Sequence, residues 1–299
     1  MATPNQPRRR FRFSLRTLLG LVVVVAIPLA WVAKERGESR LEGELADTLQ
    51  SHGALNLELG GPYDSLDPLL NREPQGWWRD VARNVLGERI LFLSGRGEYF
   101  NDLTPIARLA SLQWLSLLET EVNDLKPLVK LKELTGLGIE SSQLDDLTAL
   151  SGLPNMQQLM LEGERIRDIT PLKALTNLSD LRLYKTQVKD LTPLAGITNL
   201  KWLLLNGTPV SDITPLARLK KLDRLNLDGT QVNDLAPLAE LHDLQDLFLL
   251  STPVSDLTPL FGLKKLLWLR VNKTGITKEQ IDALQKALPK CQIDHDPFP

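Results

Sequence analysis

The sequence predicts a right-handed α/β solenoid, with a concave parallel β-sheet, convex 3₁₀ or short helical turns, and one N-terminal transmembrane helix. Three observations carry this. A block of 22 residues, stated cleanly as SDITPLARLKKLDRLNLDGTQV from Ser211 to Val232, recurs eight times without a break. Within each block the apolar spacing changes from two residues to three, the change expected where a strand gives way to a tight helical turn. Ahead of the blocks, Thr17 to Ala33 reads TLLGLVVVVAIPLAWVA and carries no charge.

One repeat shows the logic. Leu225 and Leu227 are two apart and share one side of a short strand, while Arg224 and Asn226 point to the other. Val232, Leu235, Leu238 and Leu241 follow at intervals of three, which suits the inner edge of a 3₁₀ turn. The proline of T-P-L sits at the first position of the turn, where its missing N–H costs nothing, and the preceding threonine is placed to cap it. No single copy can bury this apolar edge, but stacked copies can. The columns agree with stacking. The innermost strand position reads Leu117, Ile139, Leu161, Leu183, Leu205, Leu227, Leu249, Val271. Three residues on, a threonine column (Thr120, Thr186, Thr208, Thr230, Thr252, Thr274, with Ser142 and Glu164 as exceptions) is placed to bond the loop backbone.

A 22-residue period around an L-x-x-L-x-L core resembles the short-repeat class of leucine-rich repeat proteins that includes the bacterial internalins. The resemblance covers residues 101–276. It implies the solenoid, and it leaves function open because one fold hosts many activities.

In chain order, residues 1–16 form a basic tail expected on the cytoplasmic side. With Arg8, Arg9, Arg10, Arg12 and Arg16 before the apolar run and no acid there, the positive-inside rule keeps the N-terminus in the cytoplasm. Residues 17–33 read as an uncleaved signal-anchor at the short end of the spanning range. A cleaved signal peptide is the rival reading, and its candidate cleavage points at Ala33 and Ala30 follow Trp31 and Pro28. The run RFRFSLRTLLGL resembles the N-terminal anchor of many planctomycete proteins, which often carry leucine-rich repeats beyond it. Residues 34–88 read as an N-terminal cap: a charged helix from Glu35 to Gln50, a short strand at Leu55–Leu59, and an amphipathic helix whose Trp77 and Trp78 cover the open solenoid end. Repeats occupy 89–276, beginning with an irregular strand at Ile90–Leu93. Residues 277–299 close the far end. There Thr277 and Gln280 have capping-box spacing, Ile281, Leu284 and Leu288 share one helix face, and Cys291-Gln292-Ile293 supplies a last strand.

Composition narrows the function. A formal charge of −2 conceals a basic tail ahead of a more acidic body, which argues against a nucleic-acid ligand. Three scattered histidines (His52, His242, His295) and a single cysteine, Cys291, form no metal or nucleophile constellation, and no phosphate-cradling loop is present. The recurring aspartate, from Asp102 through Asp256, provides one carboxylate per turn where calcium needs six to eight converging oxygens, so it reads as scaffold. No cofactor and no metal is expected. A hydrolase in residues 34–88 would have only His52 as an imidazole base.

What packing leaves free is the concave face. Its first column reads Trp114, Gly136, Gln158, Asp180, Trp202, Arg224, Asp246, Trp268, and its second reads Ser116, Gly138, Met160, Arg182, Leu204, Asn226, Phe248, Arg270. Aromatic residues interspersed with arginine have the composition of interface hot spots. The expected site is Tyr184, Trp202, Leu204, Arg224, Phe248 and Leu250, with Trp114 and Trp268 toward the ends. The expected function is non-catalytic binding of a protein or envelope polymer, displayed outside the cytoplasmic membrane. A structural or spacer role in the envelope without a tight ligand is the alternative.

Overall fold

The computed structural model describes residues 54–56, 92–96, 102–104 and 106–297. The basic tail, the apolar run at 17–33, the helices expected before residue 88, and Trp77, Trp78 and His52 lie outside the described residues. Among the described residues no helix is long and apolar enough to cross a membrane.

Eleven strands form one sheet whose spatial order is the chain order. They are β1 (Ala54–Asn56), β2 (Phe92–Arg96), β3 (Trp114–Thr120), β4 (Gly136–Ser141), β5 (Gln158–Glu162), β6 (Asp180–Tyr184), β7 (Trp202–Leu204), β8 (Arg224–Asn226), β9 (Asp246–Phe248), β10 (Trp268–Arg270) and β11 (Gln292–Asp294). From β2 to β11 every pairing is parallel, while β1 lies antiparallel against β2. The strand expected at Leu55–Leu59 is thus described at Ala54–Asn56, and the irregular one at Phe92–Arg96.

Register explains the uniformity. From β2 to β10 each strand pairs with the residue 22 positions on, as in Leu203 with Leu225 and Leu225 with Leu247, apart from the end of β3, while β11 pairs with β10 at an offset of 24. Entry to a strand is fixed by a shared acceptor: the N–H groups of Asp223 and Arg224 both donate to the Lys201 carbonyl, at 2.9 and 3.1 Å. The ladder continues past the short strands, with Leu205 N–H donating to Asn226 C=O and Gly207 N–H to Asp228 C=O, each at 2.8 Å. Behind the sheet, the inner strand column and the turn residues Leu216, Leu219 and Leu222 are fully buried, as are their equivalents in every described repeat. Truncating one such leucine to alanine typically costs about 2–5 kcal/mol.

The turns are 3₁₀, as the spacing predicts, for example Thr214–Arg218. Threonine does not cap them. The N-cap position is Ile213, with no side-chain cap bond, and Thr214 is already the first residue of the turn. The cap is the aspartate. Asp212 Oδ1 accepts the Thr214 N–H at 2.8 Å, and the same bond recurs at Asp102, Asp124, Asp146, Asp168, Asp190, Asp234 and Asp256. An oxygen acceptor placed two residues before a turn N–H is what an Asx turn requires.

In the last four repeats the threonine column closes each strand onto its loop. Thr208, Thr230, Thr252 and Thr274 donate their hydroxyls to the carbonyl three residues back, at 2.6–2.7 Å. The residue before each threonine is left-handed: Gly207 and Gly229, and also Glu119, Lys185, Ser251 and Lys273. Repeats two and three differ. A register shift after Leu117 sets Thr120 opposite Ser141, not Ser142, and Ser141 Oγ donates to Val122 C=O at 2.8 Å. Next in line is Gly163, where a Cβ would lie 2.3 Å from the Ser141 carbonyl oxygen. That contact demands glycine.

The far end closes with helix α1 (Lys278–Ala287), which buries Ile281 and Leu284, while Leu288 is buried just beyond it. The capping box does not form. Thr277 makes no side-chain cap bond, and Gln280 Nε2 instead donates to the Ser255 carbonyl of the preceding repeat at 2.9 Å. Cys291 is buried, and burial pushes its thiol up to about 11.

The aspartate caps give the fold a defined acid response. Hydrogen bonds from the hydroxyl and then the N–H of the following threonine hold Asp146, Asp168, Asp190, Asp212 and Asp256 below the ordinary carboxylate value. A carboxyl lowered on folding contributes stability that is present above its unfolded value of about 3.9 and is lost as pH falls through the folded value. The urea midpoint should therefore fall below about pH 4. Replacing Asp168, Asp190, Asp212 and Asp256 by asparagine should flatten that decline, because the amide oxygen still accepts the N–H but cannot be protonated there.

Candidate binding face

Seen from the open side of the sheet, the expected site residues fall on consecutive strands: Tyr184 on β6, Trp202 and Leu204 on β7, Arg224 on β8, Phe248 on β9 and Leu250 just after it. The register brings them together. Trp202 pairs with Arg224, Arg182 with Leu204, and Asn226 with Phe248. Trp114 on β3 and Trp268 on β10 stand apart from this group, near opposite ends of the sheet.

These side chains are engaged with one another more than the sequence indicated. The Arg224 guanidinium lies 5.2 Å from the Trp202 ring centroid and the Arg182 guanidinium 6.0 Å from it. Each is oriented by a carboxylate. Arg182 forms a two-point bond with Asp180, at 3.2 Å from Nε and 2.9 Å from Nη2, and this hydrogen bonding raises its pKa. Arg224 reaches Asp246 through Nε at 2.9 Å and Nη2 at 2.8 Å. Toward the C-terminal end, Arg270 lies 5.7 Å from the Phe248 centroid and contacts Asp228 at 3.3 Å and Asp294 at 3.6 Å. The result is a charge-balanced ladder, Asp180–Arg182–Trp202–Arg224–Asp246, with a second rung at Phe248–Arg270. Stacked guanidinium and ring pairs are worth about 0.5–1 kcal/mol at exposed sites, and more when dry.

The polar edge of the ladder is tied to the backbone. Asp228 is half-buried; burial pushes its carboxyl up, while bonds from Leu250 N–H at 2.7 Å and from Arg270 oppose the shift. Asn226 Oδ1 accepts the Asp228 N–H at 2.8 Å. Burial likewise raises the Tyr184 hydroxyl. The face is preformed.

Trp114 has a different setting. A Cβ on Gly136 would lie 1.8 Å from Trp114 Cε3, so the indole lies flat over the glycine of the next strand. The large hydrophobic side chains classed as exposed among the described residues are Leu267, at 48%, and Trp268, at 37%. No group of metal-ligating side chains occurs among the described residues.

Three features escaped the sequence reading. Asn155, Asn177 and Asn199 donate their amides to the carbonyls of Lys132, Pro154 and Thr176 in the preceding repeat, at 2.8–3.0 Å. Their 22-residue spacing was the available signal. Covering of the rings by arginine was signalled by Asp180 two residues before Arg182 and Asp246 one repeat after Arg224. The bed for Trp114 was signalled by Gly136 alone.

With this geometry in view, the fold is that of a leucine-rich repeat protein. An internalin (inlF) of Listeria monocytogenes superposes with a TM-score of 0.61 at 29% identity, covering 67% of this chain and 58% of its own. Internalin C2 of the same organism gives 0.51 at 28%, covering 71% and 82%. A leucine-rich repeat protein of Leptospira interrogans gives 0.59 at 26%, covering 64% and 50%. The chain thus spans well under two thirds of the first and last of these. No protein-family model and no curated protein matches the sequence.

The glycine bed generates a sharp expectation. Gly136→Ala should eject the Trp114 ring, seen as increased acrylamide quenching of tryptophan fluorescence that is absent in a Gly136→Ala, Trp114→Leu double variant. Equal quenching before and after the single substitution would show that the ring does not need the glycine.

Proposed function

We propose that this chain is a non-catalytic binding module whose open, concave face docks a protein or envelope polymer, and that residues 17–33 anchor it with the repeats outside the cytoplasmic membrane. The domain division proposed is a tail at 1–16, the anchor, a cap at 34–88, repeats at 89–276 and a closing cap at 277–299. The single observation that carries the reading is the ladder across β6 to β10. It gathers Tyr184, Trp202, Leu204, Arg224, Phe248 and Leu250 on one side of a sheet whose other side is wholly buried. Side chains fixed before contact lose little freedom on binding, so such a face favours affinity without rearrangement. The internalins among the structural neighbours support a protein partner at the level of fold.

A second reading has its own observation. The arginines of the ladder are already paired with carboxylates, which suits a stiff spacer without a tight ligand as well as a docking face.

Capture of envelope components separates the two. The full-length chain is compared with a Trp202→Ser, Arg224→Ala, Phe248→Ser variant whose far-ultraviolet circular dichroism is unchanged. The expected outcome is a partner retained by the first and released by the second, since losing a central aromatic or arginine anchor costs about 2 kcal/mol or more. Identical capture by both, or none by either, favours the spacer.

A further inference from the structure

The loops that leave β7, β8 and β9 share one device. In each, the left-handed residue or its equivalent gives its N–H to the backbone of the following repeat. Gly207 donates to Asp228 C=O at 2.8 Å, Gly229 to Leu250 C=O at 2.7 Å, and Ser251 to Asn272 C=O at 2.9 Å. Lys273, in the loop after β10, is left-handed in the same way. Its neighbour is not a regular repeat but the α1–β11 segment, which has a helix in place of a 3₁₀ turn and pairs at an offset of 24.

Register carries the ladder one step across this junction. Val271 N–H donates to Asp294 C=O at 2.8 Å, as Leu249 N–H does to Arg270 C=O. The next step falls on residue 296, and there the acceptor changes. The Asp296 carbonyl lies 2.7 Å from His295 Nδ1, and it is the Asp296 carboxylate that accepts the Lys273 N–H. Asp294 ties the same two segments, taking the Asn272 amide on its carboxylate, with Arg270 Nε at 3.6 Å.

A left-handed lysine carries a steric cost that glycine does not, so the loop must be held. From the preceding repeat the hold is Gly275 N–H to Val254 C=O at 2.9 Å, and within the loop the Thr274 hydroxyl donates to Val271 C=O at 2.6 Å. On the other side the hold is Asp296.

We propose that Asp296 is a positioning residue, a side-chain clamp that takes the part of a repeat's backbone carbonyl and keeps the loop after β10 in the conformation of the interior loops. The clamp allows an irregular closing segment to be joined to a regular stack without a frayed junction. It holds whatever the open face binds.

Hydrogen exchange of the full-length chain, resolved at single amides by electron-transfer fragmentation, tests it. Lys273 should be protected comparably with Ser251, whose acceptor is a true carbonyl. Asp296→Ala should speed exchange at Lys273 by about ten-fold or more, the loss of one hydrogen bond to a charged acceptor, and leave Ser251 unmoved. Asp296→Asn, whose amide oxygen still accepts, should keep most of the protection. A general contribution of these residues to stability would instead speed both amides together and make asparagine no better than alanine. Either of those results, an unmoved Lys273 in the alanine variant, or an unprotected Lys273 in the unaltered chain overturns the proposal.

Discussion

Everything in this molecule follows from one requirement: a strand with leucines on its inner side must find an identical neighbour on each flank. A lone repeat leaves Leu225 and Leu227 in water, and a stack removes them from it completely. Because the parallel neighbour within the repeats is 22 residues away, any slip by one residue would turn the leucines outward and the arginines and tryptophans inward. The core and the open face are thus specified by the same register.

The polar side chains divide by what that register leaves for them. Aspartate, threonine and asparagine columns are absorbed by the backbone: the first accepts a turn N–H, the second closes the strand, and the third bridges to the preceding repeat. Their chemistry is spent on geometry. The open face is relieved of most of that duty, Asn226 being an exception, and there composition varies from strand to strand.

The scaffold was legible in the sequence because it repeats. A position sampled eight times, such as the inner aliphatic residue or the aspartate before the turn, declares its role through its recurrence within the chain. Positions that occur once do not. The capping spacing at Thr277 and Gln280 was real, yet Gln280 found a carbonyl of the preceding repeat, a partner that local spacing does not reveal. Threonine was assigned the turn cap, but a carboxylate two residues before the donor reaches it better than a hydroxyl next to it. In the same way, Trp202 and Arg224 were readable as neighbours, whereas the stacking of guanidinium on indole depended on Asp180 and Asp246 holding the arginines from the side.

The uniform step between strands has a further consequence for how such a chain can change. Removing or doubling a whole 22-residue unit between β6 and β10 would leave each carbonyl facing an N–H and each leucine beside a leucine, so length can vary in discrete increments at little cost to the frame. On the open face such an event between β7 and β10 would alter the interval between Trp202 and Trp268 by one strand width, about 4.8 Å. The solenoid is in that sense an adjustable gauge, able to acquire a new distance between two aromatic contacts without acquiring a new fold.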